Sequence, residues 1–154
     1  MFRVGFRSDA NCSLCNDIDS LLHTFLECPN IQPLLGVIST ITSRLVLPGQ
    51  AVNIAWFFIN PPVKNSVFIH RRAMSLFVYL STMAKLCIHL ARRNVFRNQG
   101  PVDPLDIFKS KIFSRLRLEF EYHRLNENLH SFNIIWAFDD ILCDTHDGQL
   151  NFHI

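Results

Sequence analysis

The chain has 154 residues, enough for one domain with at most a small appendage. It is 49% apolar and 18% charged and carries 14 phenylalanines, which excludes a disordered chain, while its 5 glycines argue against an all-β fold full of tight turns. The net charge of +2 conceals an asymmetry: residues 64–124 hold twelve basic and four acidic side chains, and residues 125–154 hold five acidic side chains with no Lys or Arg, a division that suggests a polyanionic partner.

In chain order, residues 1–18 read as an irregular entry and a cysteine turn. The opening "MFRVGF" lacks the apolar run of a secretory signal. Asp19 or Ser20 suits the N-cap of a short helix over "SLLHTFLE", which Pro29 ends. Asn30 suits the cap of a second helix of about fifteen residues, with Leu34, Val37, Ile38, Ile41 and Leu45 at helical spacing. "NIAWFFI", residues 53–59, is a short apolar segment. Asn53 fits a helix cap, but the β-rich letters leave a strand open.

The longest element is expected from Asn65 to Asn94. Ile69, Ala73, Leu76, Leu80, Ala84, Cys87 and Ala91 keep one helical face throughout, and Phe77, Met83 and Leu90 widen it, so this helix should be central. Its uncharged run, residues 73–84, is shorter than the roughly 20 residues a bilayer requires, so no membrane partner is expected. Asp103, Pro104 and Asp106 then form a strong helix start. That helix should reach Leu125, with Leu105, Phe108, Ile112, Leu116 and Phe120 as its apolar stripe. A shorter helix is expected over "SFNIIWAF". Asp147-Gly148 predicts a tight hairpin turn, and Leu150, Phe152 and Ile154 alternate after it like a half-buried strand.

The expected fold is therefore mainly α: a short N-terminal zinc-binding turn and helix, a helical domain with one long central helix, and a small C-terminal β-hairpin. The division expected is a zinc-binding module over residues 1–36 and a basic helical region with the hairpin over residues 37–154.

Cys12, Cys15, His23 and Cys28 follow the spacing Cys-x2-Cys-x7-His-x4-Cys. Zinc takes four tetrahedral ligands, and thiolate and imidazole suit it. Cys-x-x-Cys supplies two from one turn. Cys28 stands about 140° from His23 on an ideal helix, so it converges with His23 only if the helix ends first, and Pro29 supplies that end. Such a set makes a closed structural site without a free coordination position. The bland alternative is a group of core cysteines beside a surface histidine, since free Cys is common in cores. Yet Cys12 and Cys15 flank polar Asn and Asp residues rather than an apolar face. A redox Cys-x-x-Cys lacks the surrounding βαβ pattern.

"CSLCNDIDSLLHTFLECP" resembles the zinc-binding region near the C-terminus of non-LTR retrotransposon reverse transcriptases. The likeness rests on the Cys-x2-Cys pair, on Asp17, Asp19 and Ser20, and on His23 through Cys28-Pro29 with Phe25 and Leu26 between. It covers about residues 9–36. It implies zinc as cofactor, Cys12, Cys15, His23 and Cys28 as ligands, RNA or DNA as partner, and an origin as a piece of such an enzyme. An intracellular setting, nucleus or cytoplasm, is expected.

No catalytic residues are expected. There is no Tyr-x-Asp-Asp polymerase pair, no Gly-rich phosphate loop and no Ser/His/Asp set; Asp139-Asp140 reads as a solvated turn. Candidate nucleic-acid contacts are Arg71, Arg72, Lys85, Arg92, Arg93 and Arg97 around the long helix, and Lys109, Lys111, Arg115 and Arg117 on the next. Phe96 between them is a candidate for base stacking. The simpler reading is that these are the solvated faces of amphipathic helices. A second functional reading is a docking module that packs on a reverse transcriptase body without touching nucleic acid.

Overall fold

The architecture comes from a computed structural model that describes residues 10–58, 62 and 67–154. The expected fold class holds: the protein is mainly helical, with a Cys/His cluster at its N-terminal side, one long central helix and a C-terminal two-stranded hairpin.

Four α-helices carry the core: α1 (Gln32–Leu45), α2 (Arg71–Phe96), α3 (Pro104–Leu125) and α4 (Leu129–Ile135). Helix α1 buries Leu34, Leu35, Ile38, Ile41, Thr42 and Leu45, one face at three- and four-residue spacing. Asn30 does not cap it. A 3-10 turn, Pro29–Ile31, leads into it, and the Asn30 side chain is used elsewhere.

The long helix starts later than its periodicity suggests. The Leu47 amide donates to the Val67 carbonyl at 2.9 Å and the Ile69 amide to the Leu45 carbonyl at 3.0 Å. These bonds flank an isolated antiparallel bridge between Val46 and Phe68, tie residues 67–69 to the end of α1 and place Ile69 outside the helix. His70 then caps α2, its Nδ1 accepting from the Ala73 amide at 3.0 Å. Beyond that point the stripe is as expected. Ala73, Leu76, Phe77, Leu80, Ala84, Cys87, Ile88 and Ala91 are buried, and α2 packs against both α1 and α3, which also meet each other.

Helix α2 is long and apolar enough, by length and composition alone, to cross a membrane. In the structure, 44% of its apolar window is buried inside the protein.

Helix α3 begins as the sequence predicts: Asp103 Oδ1 accepts from the Leu105 amide at 2.8 Å, with Pro104 at the first position. Phe108, Ile112, Leu116 and Phe120 are buried, and Phe120 meets Phe132 of α4 edge-on at 5.4 Å. "NIAWFFI" is neither α-helix nor strand over its described part. It forms a 3-10 turn, Ile54–Phe57, capped by Asn53, which places Phe57 in the core.

The hairpin pairs β1 (Cys143–His146) with β2 (Gln149–Phe152). Asp147 and Gly148 sit at φ 50° and 74°, the left-handed pair that a two-residue turn demands. Phe152 closes the hairpin onto Phe113 of α3 at 4.4 Å. Asp139 and Asp140 are more than a solvated turn, because Arg44 of α1 donates to both their carbonyls, at 2.9 and 3.2 Å.

Candidate metal centre

Each segment of the Cys/His cluster has a local reason for its shape. The cysteine turn is closed by backbone bonds from Cys12 N–H to the Asp17 carbonyl (2.6 Å) and from Asn16 N–H to the Cys12 carbonyl (2.9 Å). Asn16 takes the left-handed conformation, φ 68°, which Asn tolerates better than most residues. The thiols of Cys12 and Cys15 thereby emerge on one side.

The next segment is capped by Ser20, whose Oγ accepts from the His23 amide at 2.9 Å. It then winds wide. His23–Glu27 is a π-helical turn, closed by the Cys28 amide on the His23 carbonyl at 2.9 Å. The helical turn ends at Glu27, before Cys28, as the expectation drawn from Pro29 requires. Its wide winding, which the spacing did not predict, also turns Cys28 less far from His23 than an α-helix would. Pi-helical turns are rare and concentrate at functional sites. Cys28 itself is extended, and Pro29 follows it.

The structure brings Cys12, Cys15, His23 and Cys28 together, with every pair of donor atoms within 4.8 Å. Cys12 Sγ lies 3.9 Å from Cys28 Sγ, Cys28 Sγ lies 3.7 Å from Cys15 Sγ, and Cys15 Sγ lies 3.1 Å from His23 Nε2. With a zinc–sulfur bond of about 2.3 Å, the edge of a tetrahedron is about 3.8 Å. The sulfur spacings match that edge and are far too long for a disulfide. Cys12, His23 and Cys28 are buried and Cys15 is half-buried.

The electrostatics also fit a cation. Each thiol accepts an amide two residues ahead, Leu14 for Cys12, Asp17 for Cys15 and Asn30 for Cys28. Burial works to raise Cys12, but the Leu14 and Cys15 amides and the His23 ring outweigh it and hold that thiol down at about 7. Burial, reinforced by the neighbouring sulfurs, pushes Cys15 up to about 12 and also raises Cys28. Three thiols this close cannot all ionise alone; a divalent cation removes that conflict.

A further shell surrounds the donors. Arg92 of α2 reaches back to this turn, with Nη1 3.6 Å from Cys12 Sγ and 3.1 Å from Thr24 Oγ1. Its other nitrogen pairs with Asp19 Oδ2, and Thr24 Oγ1 donates to Asp19 Oδ1 at 2.9 Å. Arg92 was expected to face phosphate; instead its side chain is 13% exposed and engaged with the cluster. Nothing local in "HLARRNVF" distinguishes Arg92 from Arg93, and its partners lie 68 to 80 residues away.

The other candidate cations lie apart from the cluster. Arg71, Arg72, Lys85, Arg93 and Arg97 are exposed on α2 or at its end. Lys109 and Lys111 are half-buried on α3. Arg115 pairs with Glu119 at 2.5 Å and lies 6.0 Å from the Trp136 ring; Arg117 lies 5.5 Å from Phe152. Beside the Arg92 contacts, a groove of about 450 Å³ lies between this turn and α2, lined in part by Leu21, Phe25, Ile88, His89, Arg93 and Phe96.

The chain is similar to a transposon protein. It is 26% identical over 144 residues to the Transposon TX1 uncharacterized 149 kDa protein of Xenopus laevis. The match covers 88% of this chain but 10% of that protein's length. It supports a transposon-related origin, and the Cys/His cluster beside it is compatible with a metal site. No family model matches the chain, and no solved structure matches it.

Proposed function

We propose that this chain is a non-catalytic, zinc-stabilised helical module of a retrotransposon reverse transcriptase, which binds the backbone of RNA or DNA through its basic helices. The observation that carries the reading is the convergence of three sulfurs and one imidazole nitrogen within 4.8 Å. Cys12, Cys15, His23 and Cys28 would hold the ion and fill all its positions. A zinc ion so enclosed supplies cross-linking strength and offers no place for substrate or water. The turn that carries His23 is thereby held against α2. Thiolate ligands of this kind persist in a reducing compartment, in keeping with an intracellular setting in nucleus or cytoplasm.

Arg71, Arg72, Lys85, Arg93 and Arg97 would meet phosphate, with Lys109, Lys111, Arg115 and Arg117 of α3 adding to the same field. The test pairs metal analysis of the purified protein with a salt titration of binding to single strands, structured RNA and duplex DNA. One equivalent of zinc and an affinity falling steeply with salt support the reading. Absence of binding at low salt would remove the nucleic-acid part and leave the metal part.

A docking role without nucleic acid is favoured by a different observation. Leu118, Tyr122 and Leu125 fall at helical spacing on α3 and are 64%, 61% and 73% exposed. Under that reading their replacement by Ser abolishes association with a reverse transcriptase body, while Arg93 and Arg97 are dispensable.

A further inference from the structure

We propose that Arg92 is a positioning residue of the metal centre, a fixed N–H donor to Cys12 Sγ that couples metal loading to the docking of the ligand-bearing turn on α2. The proposal rests on the metal reading above and extends it to a residue outside the motif.

The geometry carries it. Arg92 is the point on α2 where one side chain touches three groups of the N-terminal segment: the Cys12 sulfur, the Thr24 hydroxyl and the Asp19 carboxylate. The contacts are sheltered, with Arg92 13% and Asp19 16% exposed. Asp19 and Thr24 are bonded to each other, so the guanidinium is held at both ends rather than left to rotate. A charge-assisted donor fixed this way stabilises a thiolate more than a thiol. Three thiolates and one neutral imidazole around a divalent cation leave one net negative charge, and Arg92 Nη1 is a side-chain donor aimed at one of the three sulfurs. Outer-shell donors of this kind typically change metal affinity 10- to 100-fold when removed.

Asp19 separates positioning from simple charge. If Arg92 acted only as a positive charge, removing the Asp19 carboxylate would leave that charge less neutralised and tighten metal binding. If Asp19 serves to aim Arg92, removing it loosens metal binding.

The experiment is a chelator competition for zinc on the full chain, with Arg92→Met, Arg92→Lys and Asp19→Asn beside the wild type. Helix content of each is checked by circular dichroism. Expected are a Kd raised at least tenfold in Arg92→Met, partial recovery in Arg92→Lys, and a looser rather than tighter site in Asp19→Asn. In the cobalt-loaded protein, the sulfur-to-metal charge-transfer band should move to lower energy in Arg92→Met, because the Cys12 sulfur has lost its donor. Zinc should slow hydrogen exchange at residues 88–96 in the wild type but not in Arg92→Met. A wild type that loads zinc while Arg92→Met matches it in affinity, spectrum and exchange overturns this proposal alone, as does a tighter site in Asp19→Asn. A wild type that takes up neither zinc nor cobalt overturns the metal reading beneath it as well.

Discussion

The Asn30 side-chain amide donates to the Leu14 carbonyl at 2.5 Å. Leu14 lies between the first two cysteines and Asn30 lies two residues after the third, so the bond joins both halves of the cluster without passing through a metal. It should hold the two segments close before loading. Asn30→Ala removes a hydrogen bond worth about 0.5–1.5 kcal/mol. The expected outcome is a larger drop in melting temperature for the metal-free protein than for the zinc-loaded one, where the ion supplies the same link. Thermal melts with and without chelator check this.

Loss of a ligand should be felt beyond the turn. Cys12 and Cys28 belong to the same buried cluster as Leu34, Phe77 and Phe108. Structural zinc contributes apparent binding energies of about 10–16 kcal/mol, several times what one side chain supplies. Cys28→Ala should therefore lose stoichiometric zinc, open residues 10–31 to hydrogen exchange and lower the melting temperature of the remainder while leaving α2 and α3 formed.

The five cysteines should divide three to two in reactivity. Burial raises the Cys87 thiol to about 11 and, with Asp144 and Asp140 adding, the Cys143 thiol to about 12. These two should resist alkylation in the native state whether metal is present or not. Cys12, Cys15 and Cys28 should be protected by zinc and modified once a chelator removes it. The same shifts give an alkaline limit. A thiol whose pKa is raised on folding stabilises the fold below its ordinary value of about 9, and that contribution is lost as pH climbs through 11 to 12. Urea melts should show stability falling above pH 9, and less steeply in Cys87→Ala than in the parent at the same pH.

Nucleic-acid binding should separate neighbouring arginines. Arg93 and Arg97 are exposed, whereas Arg92 is not. Replacing Arg93 and Arg97 by Ala should reduce the slope of log K against log salt by about 2, one unit for each lost phosphate contact. Arg92→Met should leave the slope unchanged in zinc-loaded protein. Filter binding at several salt concentrations measures both.

The hairpin turn offers a local test. Gly148 sits at φ 74° with open space around it, so a side chain there meets backbone strain rather than a clash. Gly148→Ala should cost about 1–2 kcal/mol, read from urea melts.

The sequence carried the elements whose cause is local. Asp103-Pro104 marked the start of α3, Asp147-Gly148 marked the hairpin, and the four-three repeat from Ala73 to Ala91 marked the core face of α2. The gathering of Cys12, Cys15, His23 and Cys28 was equally legible, because their spacing lies within eighteen residues. What escaped was nonlocal. The delayed start of α2 depends on residues 67–69 pairing with residues 45–47, and periodicity contains no trace of that pairing. Arg44 reaching the Asp139 and Asp140 carbonyls, and Arg92 reaching the Asp19 carboxylate, are contacts across 73 to 96 residues made by arginines that look like ordinary surface. The π-helical turn was hidden for another reason: its letters are those of an α-helix, and only the spacing of His23 and Cys28 hints at it.

That turn bears on how such a site can vary during descent. A turn closed by an i to i+5 bond is what an α-helical turn becomes when it gains one residue. With one residue fewer, the histidine and the last cysteine would stand four apart, about 40° off a common line on an ideal helix, and could still meet the same ion. Deletion of one residue within "HTFLEC" should therefore leave the histidine and the last cysteine able to converge without rebuilding the rest of the cluster.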